Sequence, residues 1–584
     1  MDIEIKRRFN EKELPDMKTI RDNAKKIASG ITIGETLFMK KYGVRSESEY
    51  KKKMMAEGKI MKHSVIGYNS WKATADGMRK IYNELRDRGS YIDRIGTICD
   101  WIMGVPEKYR SMFSASGSMI LHDQDEWNQL GQIVPVHPHL GDHMIGSLNG
   151  VDNVVHGLTA GVTSIGNLAQ YFTYEYPGLD MEKERTEDYI TCMGIMGEFK
   201  DQGVVMHCNL DDGYGAQFHD VANLLGWAKL ERYIAEELMG GRVAHAYGNL
   251  FSDSMLRVVF NRAISMIDPY GTPGTFVNGN TIDYGPDMAR NYGVLMSYAI
   301  ADAACQYQYP TGYAINPIPF TEAIRIPSPE EIIEVETTID VAIEKAPYYA
   351  RYIDWDRVNE TAEKLTVGAN IFFERVINCL DDLGVDIEHA GQIAAVVKAI
   401  GPEQLETAFG AGQHVPGAMR GRIPIQPTSI VQTIDRIRDD ALAKVDTKGS
   451  KGPLDGLHIV VASTDVHEFG KEVVRNVLSK AGASVFDLGT AVSIPEIADA
   501  LIETGSSILC VSTYNGLALT YGKKMKSAVE SAGLEGVRIL MGGRLNEAAE
   551  GGVPEDVSED LAALGINVDN DIDTLVDTIA SYRE

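Results

Sequence analysis

The stretch Leu457–Gly470, LHIVVASTDVHEFG, sets a histidine two residues after an aspartate, just beyond an apolar, β-branched run. Ile459, Val460 and Val461 read as a buried parallel strand, and open α/β sheets bind ligands at the carboxyl ends of such strands. There Asp465 can hold one ring nitrogen of His467 and leave the other to a metal, the usual support for a ligating imidazole. A second constellation lies earlier. His137, His139, His207 and His245 read as lying just past short apolar strands, among Asn69, Asn167, Asn209, Asn249, Asn278, Asn280 and Asn316. Imidazoles and amides grouped in this way can orient a polar substrate and move protons. The H-x-H of His137 and His139 has no accompanying carboxylate, which weighs against a metal at that place.

The elements that must position these groups follow a regular rhythm. Short apolar strands are expected at Ser64–Gly67, Asp93–Cys99, Ile133–Val136, Gly161–Ile165, Val204–Cys208, Arg242–Ala246, Gly274–Val277 and Gly312–Ile315, each followed by an amphipathic helix. Eight such units in about 270 residues match the count and size of a (β/α)8 TIM barrel, preferred over one long doubly wound sheet. Barrels keep their chemistry at the carboxyl ends of the strands. The expected organisation is a helical extension over 1–60, a barrel with a helical elaboration over 61–440, a linker over 441–456 and a second α/β domain over 457–584. Gly449, Gly452, Pro453 and Gly456 mark the joint. A chain of 584 residues has ample length for two cores. The formal charge of −27, spread along the chain, argues against nucleic acid or an anionic membrane as a partner. The six cysteines show no C-x-x-C spacing and suggest no disulfide framework. No apolar run approaches a membrane span and no signal-peptide core opens the chain, so a cytoplasmic protein is expected.

After the D-x-H-x-x-G of Asp465–Gly470 come a strand ending in Ser512, then Thr513-Tyr514-Asn515-Gly516, and a strand ending in Gly542-Gly543. Together they resemble the cobalamin-binding domain of corrinoid enzymes that bind the cofactor with its own base displaced, a flavodoxin-like (Rossmann-type) fold. The resemblance implies His467 as the lower axial ligand of cobalt. It implies Thr464, Asp465, Val466, Glu468, Gly470, Ser512, Thr513, Tyr514, Gly542, Gly543 and Arg544 as contacts of the corrinoid and its tail. Tyr514 stands where a leucine is commoner. Within 60–430, Gly203–Met206, Val162-Thr163-Ser164, Tyr171–Tyr176, Thr321–Pro327 and Gly421–Ile425 resemble the large subunit of glutamate mutase, and 455–584 resembles its small subunit.

That resemblance implies an adenosylcobalamin-dependent radical mutase, an isomerase that abstracts hydrogen from a small acid and moves a group to the adjacent carbon, with both subunits fused. It implies Glu322 and Ile326 beside the adenosyl ribose and Tyr176 near the substrate, with His137, His139 and His207 as further catalytic groups. At the places of the arginines that clamp glutamate the chain has Asn69, Met103 and Val136, and Ile318 replaces a lysine. Lys72 and Arg325 are the remaining cations considered for carboxylate binding. The altered clamp points to a branched or unsaturated dicarboxylate, best matched by 2-methyleneglutarate going to 3-methylitaconate. A fused glutamate (methylaspartate) mutase and a corrinoid methyltransferase stay open as alternatives. A homo-oligomer and a reactivating partner protein are expected with the mutase reading.

Overall fold

The computed structural model describes residues 5–432 and 452–583, except 6–7, 114, 116–117, 177, 212, 250, 282, 286, 323–325, 417, 430, 465–468, 490–491, 493, 514–517, 535, 544, 548–554 and 570–571. The chain divides into two compact units, Met1–Ser429 and Ile430–Glu584, both of mixed α/β type.

In the first unit, β1 (His63–Ile66), β2 (Arg94–Thr97), β3 (His137–Leu140), β4 (Ser164–Ile165), β5 (Val205–Asn209) and β6 (Val243–Ala246) pair in chain order as a parallel half-barrel sheet. β7 (Phe276–Asn278) and β8 (Ala314–Asn316) form a parallel pair. Single parallel bridges join this pair to the sheet, Tyr247 to Val277 beyond β6 and Lys62 to Ile315 beside β1. Backbone bonds from the Asn278 amide to the Tyr247 carbonyl (2.7 Å) and from Ile315 to Met61 (2.9 Å) support them. The helices between strands start where the sequence offers a side-chain cap. Ser70 accepts from the Ala73 amide, Asp220 from Ala222, Asp253 from Met255 and Leu256, and Asp287 from Ala289 and Arg290. Ser328 and Glu331 form a reciprocal capping box at Pro329–Tyr349.

Two expectations are corrected here. The third strand is His137–Leu140, not Ile133–Val136. His137 and His139 therefore lie within their strand rather than past its end, as His207 and His245 lie within the fifth and sixth. An apolar run is a poor guide where the inward face of a strand carries imidazoles, as β3 and β5 do. The amino-terminal segment forms the helices Met17–Ala28, Leu37–Tyr42 and Glu47–Ala56. The last of these does not simply cover the outside, because Glu47 is 2% exposed and bonds to groups inside the sheet. A short antiparallel pair, β9 (Gln413–His414) and β10 (Arg422–Ile423), follows the long carboxyl-side helices.

The second unit carries β11 (His458–Ser463), β12 (Ser484–Asp487), β13 (Ile508–Thr513), β14 (Arg538–Gly543) and β17 (Asn567–Val568) in the spatial order β12-β11-β13-β14-β17, all parallel. Counted along the chain this is 2-1-3-4-5, the order of flavodoxin-like doubly wound sheets. A small antiparallel pair, β15 (Asn546–Glu547) and β16 (Glu555–Asp556), lies between β14 and β17 in sequence. Alternation builds a core on each face. Val460, Ala462, Leu509, Val511, Ile539 and Met541 pack one side, while Ile459, Val461, Ile508, Cys510 and Leu540 pack the other. Leu454, inside the expected linker, is fully buried in the second of these cores. No helix among the described residues is long and apolar enough to cross a membrane.

Candidate functional site

A cavity of about 350 Å³ opens at the carboxyl ends of the first unit's strands. Its floor is aromatic and basic. His63 stacks on Phe276 (4.3 Å between centroids), His139 meets His207 edge-to-face at 4.7 Å, and His207 lies over Phe276 at 5.2 Å. The hydrogen bonds behind these rings fix their tautomers. His139 Nδ1 donates to the Ser164 carbonyl (2.9 Å), so its Nε2, without a partner among the described residues, carries a lone pair. Thr275 Oγ1 donates to the His245 carbonyl (3.0 Å) and so accepts from His207 Nδ1 (3.2 Å), which leaves His207 Nε2 unprotonated as well. Both are backed in the way that keeps an imidazole oriented for work at its other nitrogen.

Beneath the floor lies a buried ionic group that sequence reasoning missed. Arg94, 1% exposed, reaches His63 with Nη1 (3.2 Å), Ser164 Oγ with Nη2 (3.2 Å) and Glu47 Oε1 with Nε (2.9 Å). Glu47 also meets Lys51 (2.9 Å) and His137 Nδ1 (3.2 Å). Burial pushes the Glu47 carboxyl up, but Arg94, Lys51 and His137 together outweigh it and hold it well below the ordinary range. Burial lowers the Lys51 ammonium to about 8 against the pull of Glu47. Burial first, and then the Arg94 charge, keeps His63, His139 and His207 far below the usual imidazole value. At neutral pH the floor therefore presents neutral imidazoles that accept hydrogen bonds.

Around this floor the lining includes Asn167, Asn209, Asn249, Asn278 and Asn316, with Asp142, Asp211 and Glu322 as carboxylates. Among the described residues no lysine or arginine lines the cavity. Of the groups singled out in the sequence, His139, His207, Glu322 and Ile326 come together here. The next described helix after Glu322 begins at Pro329. His137 lies a layer deeper, bonded to Glu47 and to Thr163 (3.0 Å). Tyr176 does not line the cavity; it packs with Ile102, Val105 and Leu148, 5.2 Å from the Arg185 guanidinium. Lys72 is exposed near the start of its helix, and Arg325 lies outside the described residues.

In the second unit the strand ends gather the other predicted set. Ser463 pairs with Ser512, Ser512 with Gly542, and Thr513 with Gly543. Thr464 donates its amide to the Ser512 carbonyl (3.0 Å) and its hydroxyl to Thr513 Oγ1 (2.9 Å). Two glycines let the chain approach these groups more closely than any side chain would allow. A Cβ on Gly470 would fall 2.6 Å from Ser512 Oγ, and one on Gly543, whose φ is +99°, would fall 2.3 Å from the Thr513 carbonyl oxygen. Asp465, Val466, His467, Glu468, Tyr514 and Arg544 lie outside the described residues.

No known protein-family profile matches the chain. It is 28% identical over 85 residues to the glutamate mutase sigma subunit of Clostridium tetanomorphum, a match covering 15% of this chain and 62% of that protein. It is 33% identical over 85 residues to the glutamate mutase sigma subunit of Carboxydothermus hydrogenoformans, with the same coverage of 15% and 62%. Against dimethylamine corrinoid protein 1 of Methanosarcina acetivorans the identity is 27% over 161 residues, 26% of this chain and 75% of that one. A cobalamin-binding protein from Desulfitobacterium hafniense, solved by crystallography, aligns at 24% identity over 22% of this chain and 58% of its own, with a TM-score of 0.19, too low to carry a shared fold. The chain thus spans 62% of the length of the two sigma subunits it matches.

Proposed function

We propose that this chain is an adenosylcobalamin-dependent carbon-skeleton mutase, with a substrate unit and a corrinoid-binding unit on one chain. In this reading the eight strands of the first unit form a closed (β/α)8 barrel, supported by the bridges from Tyr247 to Val277 and from Lys62 to Ile315. The observation that carries the corrinoid assignment is the set of strand ends of β11, β13 and β14, where Ser463, Ser512 and Gly542 stand in register. Side chains are excluded there at Gly470 and Gly543, beside Ser512 and Thr513. A flat, extended tail lying against the sheet needs such a cradle. The partial identity to two glutamate mutase sigma subunits and to a corrinoid protein supports the same assignment.

Thr464, Ser512, Thr513, Gly542 and Gly543 would hold the corrinoid, and His467 would ligate its cobalt. Bound adenosylcobalamin supplies the radical chemistry that side chains lack. The chain's own residues bind, orient and exclude water. His139 and His207 accept hydrogen bonds from the substrate through Nε2. Glu322 accepts from hydroxyl or ammonium donors at the mouth. The buried floor keeps water from a reactive carbon centre.

The substrate expected from the sequence, 2-methyleneglutarate, would bring two carboxylates to a lining that already holds Asp142, Asp211 and Glu322 and no described cation. An unpaired buried ion costs several kcal/mol. (S)-Glutamate brings the same two carboxylates, but its ammonium group would pair with the lining carboxylates and with the imidazole lone pairs. On that observation an amino acid substrate, as in a fused glutamate (methylaspartate) mutase, stands ahead of the unsaturated acid. The test is proton NMR of the chain loaded with adenosylcobalamin and given (S)-glutamate or 2-methyleneglutarate. Branched product from either supports a mutase, and the relative rates decide the substrate. No rearrangement of either, with methyl transfer from a methylamine to the corrinoid, would replace the proposal with a methyltransferase.

A further inference from the structure

A second cluster of chemistry-bearing residues lies away from the cavity, in the wall of the first unit. Cys208 of β5 and His245 of β6 are register partners on adjacent parallel strands. Side chains alternate along a strand. The neighbouring His207 faces the cavity, so Cys208 and His245 face the opposite way. There Glu231 reaches them from the helix Val221–Arg232. Cys208 Sγ is 3.1 Å from each Glu231 carboxylate oxygen, and His245 Nε2 is 3.1 Å from Oε2. All three residues are buried, and none lines the cavity.

We propose that Cys208, Glu231 and His245 form a binding site for a divalent transition metal, best matched to zinc. One ligand atom from each residue lies within 4.8 Å of the others. Tetrahedral zinc, with bonds of about 2.3 Å to sulfur and 2.0 Å to nitrogen or oxygen, needs ligand–ligand edges of about 3.3–3.5 Å. The 3.1 Å edges require only a few tenths of an ångström of expansion. Thiolate and imidazole with one carboxylate select zinc over magnesium or calcium. Both Glu231 oxygens face the sulfur, so bidentate coordination can supply the fourth bond.

Charge balance favours the ion in this buried place. Coordination takes up Cys208 as a thiolate and Glu231 as a carboxylate, with their protons released to solvent. The thiolate, the carboxylate and the 2+ ion then sum to zero, which avoids leaving an uncompensated buried charge. His245 Nδ1 has no hydrogen-bond partner among the described residues, so the ring is held through its Nε2 edge alone. The helix also widens into a π-helical turn at Tyr233–Leu238, directly after Glu231 and Arg232; such widenings are frequent at functional sites.

The test uses the full chain, supplied with zinc and freed of excess by gel filtration, with metal counted by mass spectrometry and zinc-edge X-ray absorption recorded. The zinc edge is distinct from that of corrinoid cobalt. The expected result is about one zinc per chain with one sulfur neighbour at about 2.3 Å. Zinc should fall at least tenfold, on the order expected for loss of a ligand, in Cys208→Ser and His245→Gln. Less than about 0.1 zinc per folded wild-type chain, or a shell without sulfur, would overturn the proposal and leave a metal-free hydrogen-bonded triad. Should a variant fail to fold, the wild-type spectrum alone decides.

Discussion

Replacing Gly543 by alanine separates what corrinoid binding needs from what the sheet needs. At φ +99° an L-residue is strained, and its Cβ would sit 2.3 Å from the Thr513 carbonyl oxygen and 3.3 Å from the Thr513 nitrogen. The backbone term costs about 1–2 kcal/mol. Relieving the contact means moving the end of β14 by about 1 Å against a packed partner, an overpacking cost of about 1–3 kcal/mol. Together these give about 2–5 kcal/mol. For a unit of this size that lowers the melting temperature by roughly 2–4 °C per kcal/mol, or about 5–20 °C. Gly470→Ala is the contrast. Its Cβ meets only Ser512 Oγ, the end of a rotatable side chain, and alanine gains up to about 1 kcal/mol of helix propensity in Phe469–Lys480. Its stability should change little, yet it crowds the Ser512 hydroxyl at the strand end. The assay is thermal unfolding followed by circular dichroism, with corrinoid retention measured by absorbance after gel filtration. Gly543→Ala should lose both stability and corrinoid, and Gly470→Ala corrinoid alone. A Gly543→Ala melt within about 1 °C of wild type would refute the strain argument. Full retention of corrinoid by Gly470→Ala would refute the placement of the tail.

Glu47→Gln leaves Arg94 and Lys51 buried without their shared anion and should destabilise the first unit by about 3–5 kcal/mol, read from urea midpoints. The Glu47 carboxyl is held below its unfolded value, so its contribution is present above about pH 4.5 and is lost as pH falls. The variant should therefore show a shallower acid limb between pH 5 and 3, and an unchanged limb would show that the carboxylate is not the titrating partner. Thr275→Val removes the acceptor that fixes His207 and should cut turnover about 10- to 100-fold, while nitrogen NMR of His207 shows a mixed tautomer. An unmoved nitrogen shift would mean that the ring is oriented by its stacking on Phe276 instead.

The second unit was legible because its sequence obeys one rule at a time. Ile459-Val460-Val461 and Ile539-Leu540-Met541 alternate between two apolar cores, and Gly542-Gly543 falls where a strand must end without side chains. The first unit was legible in its rhythm and not in its interior. Pro135 and the apolar Ile133–Val136 run drew the third strand too early, because a strand whose inward residues are imidazoles carries no apolar signature on that face. Glu47 and Arg94 were invisible for a related reason. They lie 47 residues apart, on a helix and a strand, and each alone reads as a surface charge. Only the fold brings the carboxylate under the floor, where its ionisation is set by Arg94 and Lys51 rather than by water. The arginines absent from Asn69, Met103 and Val136 therefore do not leave the first unit's interior without a guanidinium. One stands a layer below the cavity, already committed to Glu47 and His63, where it holds the imidazoles neutral instead of clamping a carboxylate. Among the described residues, an anion bound above meets amides and imidazoles that burial, and then Arg94, keep uncharged, and these groups tilt the pocket's chemistry toward ligands that bring their own hydrogen-bond donors.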